Sequence, residues 1–109
     1  MLLAQVLGTV VSTRKDRGLL GLKLLLVREV DTKLEATGNF VVAADAVGAG
    51  ADEIVLIAQG SSARMTEVSR EKPVDAVIVG IVDSVEMSGK DVYLKRGMQP
   101  KAAASRSSG

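Results

Sequence analysis

Three short stretches of the chain carry residue types that could do chemistry. Gly60-Ser61-Ser62-Ala63-Arg64 sets two hydroxyls beside a cation, the raw material of a serine nucleophile. A serine attacks only when a neighbouring base takes its proton. The chain has no His, and Arg64 stands where a Ser-x-x-Lys pair would need a lysine; a guanidinium keeps its proton. Val47-Gly48-Ala49-Gly50-Ala51 invites comparison with phosphate-cradling loops, whose glycines let backbone N–H groups approach an anion. It lacks the third glycine of a dinucleotide fingerprint and the Gly-Lys-Ser/Thr end of a P-loop, and Asp52 and Glu53 follow directly. A backbone packing loop is the expectation. Asp45, Asp52 and Glu53 could in principle hold a hard cation or do acid–base work. No paired acid or positioning base accompanies them, so they are expected to be solvated loop charges, and neither a metal nor a cofactor is predicted.

The composition narrows the field in the same direction. The 109 residues suit one domain and contain no Cys and no His, which removes thiolate and imidazole chemistry, disulfides and His/Cys zinc sites. Fourteen basic residues against thirteen acidic ones leave a net charge of +1, too little for a field that gathers phosphates. Phe40 and Tyr93 are the only aromatics, so no base-stacking platform exists. Nucleic acid is not an expected partner. The N-terminus has no basic leader and no apolar run approaches the roughly 20 residues a bilayer requires, so no membrane is expected either. The reading is a soluble, cytoplasmic, non-enzymatic protein.

The elements that hold these stretches read as strands. β-branched residues fill 2–13, ahead of a charged turn at 14–18. Residues 22–30 and 40–44 follow as strands around a polar loop at 31–39. The small-residue loop 45–53 leads to a strand at 54–58, predicted to pair with or neighbour 40–44. Ser61 could cap a short helix over 61–70. The longest strand signal is 74–87, dense in Val and Ile; a turn at 88–91 and a short strand at 92–95 close the domain, which is placed at 1–97. Residues 98–109 are polar and aperiodic and read as a mobile or appended tail.

Short strands with turn signals between them and no long amphipathic helix predict an all-β domain, a small closed or partly closed antiparallel barrel. Such a barrel buries one face of each strand. Leu22, Leu24, Leu26 and Val30 oppose Leu25 and Val27 on one strand; Val77, Val79 and Ile81 oppose Ala76, Ile78 and Val82 on another. The second faces need cover from outside the monomer, and self-association supplies it. The small residues of 60–63 suit a place where several copies converge on an axis.

The order of segments then carries a resemblance. Met1-Leu2-Leu3-Ala4-Gln5-Val6, Asp45-Ala46-Val47-Gly48-Ala49-Gly50 running into Glu53 and Val55, Gly60-Ser61-Ser62-Ala63-Arg64, Pro73-Val74-Asp75-Ala76 and Gly80-Ile81-Val82-Asp83 together resemble the EutN/CcmL family of bacterial microcompartment vertex proteins, over about residues 1–96. The resemblance implies an OB-like five-stranded β-barrel with a short helix, assembled as a cyclic homopentamer that caps the corners of a polyhedral shell without catalysis. It implies hexameric shell proteins as neighbours, and Arg14, Lys15 and Arg17 are candidate rim contacts to them. By the same resemblance Gly60, Ser61, Ser62 and Ala63 are candidates for an axial pore and Arg64 for an ion pair beside it. Asp45, Val47, Gly48, Ala49, Gly50, Arg64, Val77, Val79 and Ile81 are candidates for the head-to-tail subunit interface. The family often has Gly where Ala51 stands, so no positive φ is expected there. Of the compartment types that use such vertices, the reading leans to a catabolic one. The competing reading, from a different class, is an OB-like module that binds an oligonucleotide or small anion on its barrel face.

Overall fold

The computed structural model describes residues 1–95. The end of the predicted domain at 97 and the tail 98–109 lie outside the described residues. Seven strands follow in chain order: β1 Leu2–Val10, β2 Leu24–Val30, β3 Ala36–Asp45, β4 Ile54–Gln59, β5 Ala76–Ile81, β6 Ser84–Met87 and β7 Lys90–Leu94. The first five close into a barrel in the order β1-β2-β3-β5-β4, and β6 and β7 form a separate two-stranded sheet. The fold is all-β, as the sequence predicts, and OB-like, as the resemblance implies; the barrel is mixed and not antiparallel throughout, because β3 and β5 run parallel.

The pleat sorts the aliphatic side chains. On β2, Leu25 and Val27 point into the barrel and are buried, whereas Leu24 and Leu26 stand outside and half-buried. They meet Ala4 and Val6 of β1, Ala43 of β3, Val55 and Ile57 of β4, and Ala76 and Ile78 of β5 in one core. Aromatic rings are absent from it; small and branched side chains fill the narrow interior. A second cluster lies outside the barrel wall, where Val77 and Ala44 pack with Ala63 and are flanked by Leu22, Leu24 and Val74. A β-bulge interrupts the β1–β2 register at Leu7: Val6 faces Val27 and Gly8 faces Leu26, so Leu7 has no partner on β2 and is exposed.

Several boundaries differ from the sequence reading for identifiable reasons. Segments 40–44 and 54–58 are not neighbours, because β5 inserts between β3 and β4, parallel to the first and antiparallel to the second. The loop 31–39 is shorter than predicted: Asp31 accepts hydrogen bonds from the backbone N–H groups of Lys33 and Glu35 and closes the turn by residue 35. Glu29 then accepts from Thr37 and Asn39, which holds the start of β3 against β2. The helix expected at 61–70 is a five-residue 3-10 helix, Gly60–Arg64; Gln59 is its N-cap and supplies no side-chain cap. Beyond it Thr66 and Ser69 bond to each other and Ser69 donates to the Ala63 carbonyl, so hydroxyl–backbone bonding replaces the helical ladder. The long signal at 74–87 is two strands. Val82 turns inward, buried, with its N–H donated to Ile54 O at 2.8 Å, and β6 leaves the barrel from there. Ser88 and Gly89, at φ 55 and 79, supply the two left-handed residues a tight hairpin turn demands.

Truncating Ile57 to Ala removes a side chain with no exposure from the barrel interior. It is expected to cost about 2–5 kcal/mol, which urea denaturation of the variant against the parent would read as a lowered midpoint.

Candidate functional site

The loop between β3 and β4 is built around one carboxylate. Asp45 ends β3, and its side chain is 2% exposed. It accepts three backbone hydrogen bonds, from Val47 N and Gly48 N to Oδ1 and from Ala49 N to Oδ2, each 3.0 Å. Lys23 Nζ approaches Oδ2 at 3.8 Å. The N–H groups that gave the sequence its phosphate-loop character are thus turned onto a carboxylate of the same chain. Gly48, at φ 78, makes the turn possible. Asp45 is therefore not the solvated loop charge expected of it. Ala49 is carried into the barrel core, 2% exposed, where it closes one end.

Glu53 closes the other half of the loop. Its carboxylate accepts the Gly50 N–H through Oε1 and binds Lys95 Nζ through Oε2 at 2.9 Å. The Gly50 N–H first, and Lys95 second, hold this carboxyl below the ordinary glutamate value; the same contact raises the Lys95 ammonium above its own. Asp52, rather than Ala51, takes the left-handed backbone, at φ 67, so the expectation for Ala51 holds. No three acidic residues converge to hold a metal ion among the described residues.

The hydroxyl stretch is equally occupied with structure. Gly60, at φ 64, donates its N–H to Asp75 O at 2.9 Å, and Ser62 Oγ donates to Gln59 O at 2.9 Å. Ser61, Ser62 and Arg64 are exposed, and Ala63 is fully buried within its own chain. Arg64 lines an open cleft with Pro73, Val74 and Asp75. These arrangements give Ser62 no base and no activated hydroxyl.

What remains is surface. One outer face, over β2 and β3, shows Phe40 at 62% and Val42 at 47% exposure beside half-buried Leu24 and Leu26; register places Leu26 opposite Val42 and Arg28 opposite Phe40. A second, over β1, β4, β5 and the start of β6, forms a cleft lined by Leu3, Leu56, Ile81 and Val85 together with Val82, Asp83 and Ser84. The barrel order puts β4 on the far side from β2 and β3. Among the residues singled out from sequence, Val47, Gly48 and Gly50 are exposed, Val79 and Ile81 half-buried, and Ala49 and Val77 buried inside the chain. Arg14, Lys15 and Arg17 are exposed together in the β1–β2 connection. Sequence reasoning missed Leu3, Leu56, Phe40 and Val42; alternation along β1 was a signal for Leu3, whereas the continuous apolar runs of β3 and β4 hid the others.

Replacing Asp45 with Ala leaves three loop N–H groups without their acceptor and is expected to destabilise the protein by about 2–3 kcal/mol in denaturant titrations. Because the Glu53 value in the folded protein lies below that of the unfolded chain, its stabilising effect is complete above about pH 4.5 and is lost as pH falls through the folded value. Thermal melts from pH 7 to pH 3 should therefore drop less steeply for Glu53→Gln than for the parent.

Comparison with known proteins fits this surface-dominated molecule. The family described as ethanolamine utilisation protein EutN/carboxysome matches residues 1–83. The carboxysome shell vertex protein CcmL of Synechocystis sp. is 50% identical over 96 residues, covering 88% of this chain and 96% of the relative. The microcompartment shell vertex protein GrpN of Rhodospirillum rubrum is 49% identical over 86 residues, covering 79% and 97%. A solved carboxysome subunit, CcmL, superposes with a TM-score of 0.85 at 50% identity, over 88% of this chain and all of the other (100%). The GrpN pentameric microcompartment shell protein from Rhodospirillum rubrum gives 0.74 at 49% identity, over 80% and 99%. Carboxysome and other microcompartment relatives match in sequence identity, and the carboxysome subunit superposes more closely over more of the chain, which lends no weight to the catabolic leaning. The chain belongs to the EutN/CcmL family, whose named relatives are shell vertex proteins of bacterial microcompartments.

Proposed function

We propose that this chain is a non-catalytic structural protein of a bacterial microcompartment shell, closing its corners as a homopentamer. The observation that carries the reading is the pair of unlike apolar faces on opposite sides of one barrel. Phe40, Val42, Leu24 and Leu26 lie on one, and Leu3, Leu56, Ile81 and Val85 on the other. A symmetric dimer needs one self-complementary patch, whereas a ring needs two different ones, one toward each neighbour. Relatives described as pentameric shell proteins support five as the number that closes the ring.

Gly60, Ser61 and Ser62 are the proposed lining of the axial opening, being small and exposed; Ala63 faces its own chain and supports the segment from behind. Arg64 and Asp75, on one open cleft beside that segment, provide opposite charges for a neighbouring subunit. The loop residues Val47, Gly48 and Gly50 and the half-buried Val79 extend the interface. Arg14, Lys15 and Arg17 are the proposed rim contacts to hexameric shell proteins.

Native mass spectrometry at micromolar concentration should report a species near 57 kDa, five times the 11.4 kDa chain. Leu56→Asp, which charges one apolar face, should shift it to the single chain. A parent protein that stays monomeric would overturn the proposal. In an assembled ring, Ser62→Phe is expected to narrow the axial opening in a reconstructed density without changing the subunit count.

A further inference from the structure

The β6–β7 hairpin pairs with nothing but itself among the described residues. Its strands are four and five residues long, they make their own sheet, and neither outer edge has a strand partner among the described residues. Val85, Met87, Val92, Tyr93 and Leu94 ride on it, with Met87 40% and Val92 36% exposed. A lone two-stranded hairpin is at best marginally stable in water and needs a third strand or a packing surface.

Among the described residues the longest unpaired flank of the barrel is on β3; β1 beyond Gln5 and β5 beyond Ile78 leave shorter ones. β3 is paired with β2 along its length, but β5 meets it only at Ala44 and Asp45. From Ala36 to Ala43 the opposite flank of β3 has no strand partner among the described residues, and it carries exposed Phe40 and Val42. An exposed strand edge is a template for an added strand.

We propose that the β6–β7 arm of one protomer adds to this open flank of β3 in the next protomer of the ring. The proposal rests on the homopentamer reading and names the element that links its subunits. Topology excludes the chain's own arm. β3 and β5 are parallel, with Ala44 beside Val77; Phe40 lies four residues before that row and Ile81, where the arm begins, four residues after it. At about 3.3 Å per residue the two are about 25 Å apart along the strands, whereas a strand of the arm spans about 15 Å. The root of the arm is also tied down at the far end of the barrel. Lys95 N donates to Asp83 O at 2.7 Å, Lys95 Nζ binds Glu53 at 2.9 Å, and Val82 N is held by Ile54 O. A second copy, presenting its β3 flank to this arm, satisfies that flank and one edge of the arm at once.

The test places the photo-crosslinker p-benzoylphenylalanine at position 87 of the full chain, with native mass spectrometry of the same sample before irradiation. The expected result is an intact pentamer whose main crosslinked product has the mass of two chains, joined from position 87 to tryptic peptide 34–64, with the attachment falling within residues 36–43. A pentamer whose crosslinks lie within one chain, including on its own residues 96–109, or on any other surface of the neighbour, overturns the arm exchange and leaves the pentamer standing. If the parent chain also gives only a monomer, the ring reading falls and takes the arm with it. If only the substituted chain is monomeric, amide exchange of residues 36–43 in the parent ring decides: protection at least tenfold above that in the substituted monomer upholds the contact, and equal exchange overturns it.

Discussion

A single buried carboxylate organises the end of the barrel. Asp45 could have been stranded there at a heavy desolvation cost, but three consecutive loop N–H groups converge on it and offset that cost. The loop so fixed drops Ala49 into the core, turns at Asp52, and delivers Glu53 to where it can grip Gly50 and Lys95. β4 then starts in register with β1, with Val6 N donated to Glu53 O and Asp52 N to Val6 O. A feature that looked like an anion receptor in the sequence is an anion receptor, already filled from within.

Around that anchor the molecule is an aliphatic barrel too small to hide all its apolar residues. Filling the interior takes Ala, Val, Ile and Leu from one face of every strand. The other faces are not converted to polar surface: Phe40 and Val42 stand exposed over β2 and β3, and Leu3 and Leu56 line a cleft on the opposite side, while Met1, Val11 and Met65 are exposed elsewhere. Two unlike apolar faces on one barrel, more than the total of exposed hydrocarbon, suit a head-to-tail ring.

Much of this was legible in the sequence. Alternation on β2 and β5 announced two-faced strands, and the absence of His and Cys with an arginine at position 64 removed catalysis from the 60–64 stretch before any geometry was known. What stayed illegible depended on contacts between distant segments. The burial of Asp45 needs a loop that folds back on its own strand, so its charge looked like any surface charge. Insertion of β5 between β3 and β4 is a long-range pairing that no local pattern encodes. The split at Val82 is set by a single hydrogen bond to Ile54, twenty-eight positions away in the chain and silent in a run of Val and Ile. The 61–70 segment misled because Ser61 has the right chemistry for a cap, while the chain used Thr66 and Ser69 to tie the backbone into a non-helical course.

The seam between β3 and β5 has a mechanical consequence. It is the barrel's one parallel junction and is stitched at only two rows, whereas every other junction is antiparallel and longer. Pulled or heated, a cylinder opens along its shortest weld, so an isolated subunit would unroll there first. A neighbour held against that side of the barrel would brace the junction, so closing a ring would stiffen each subunit as well as join it.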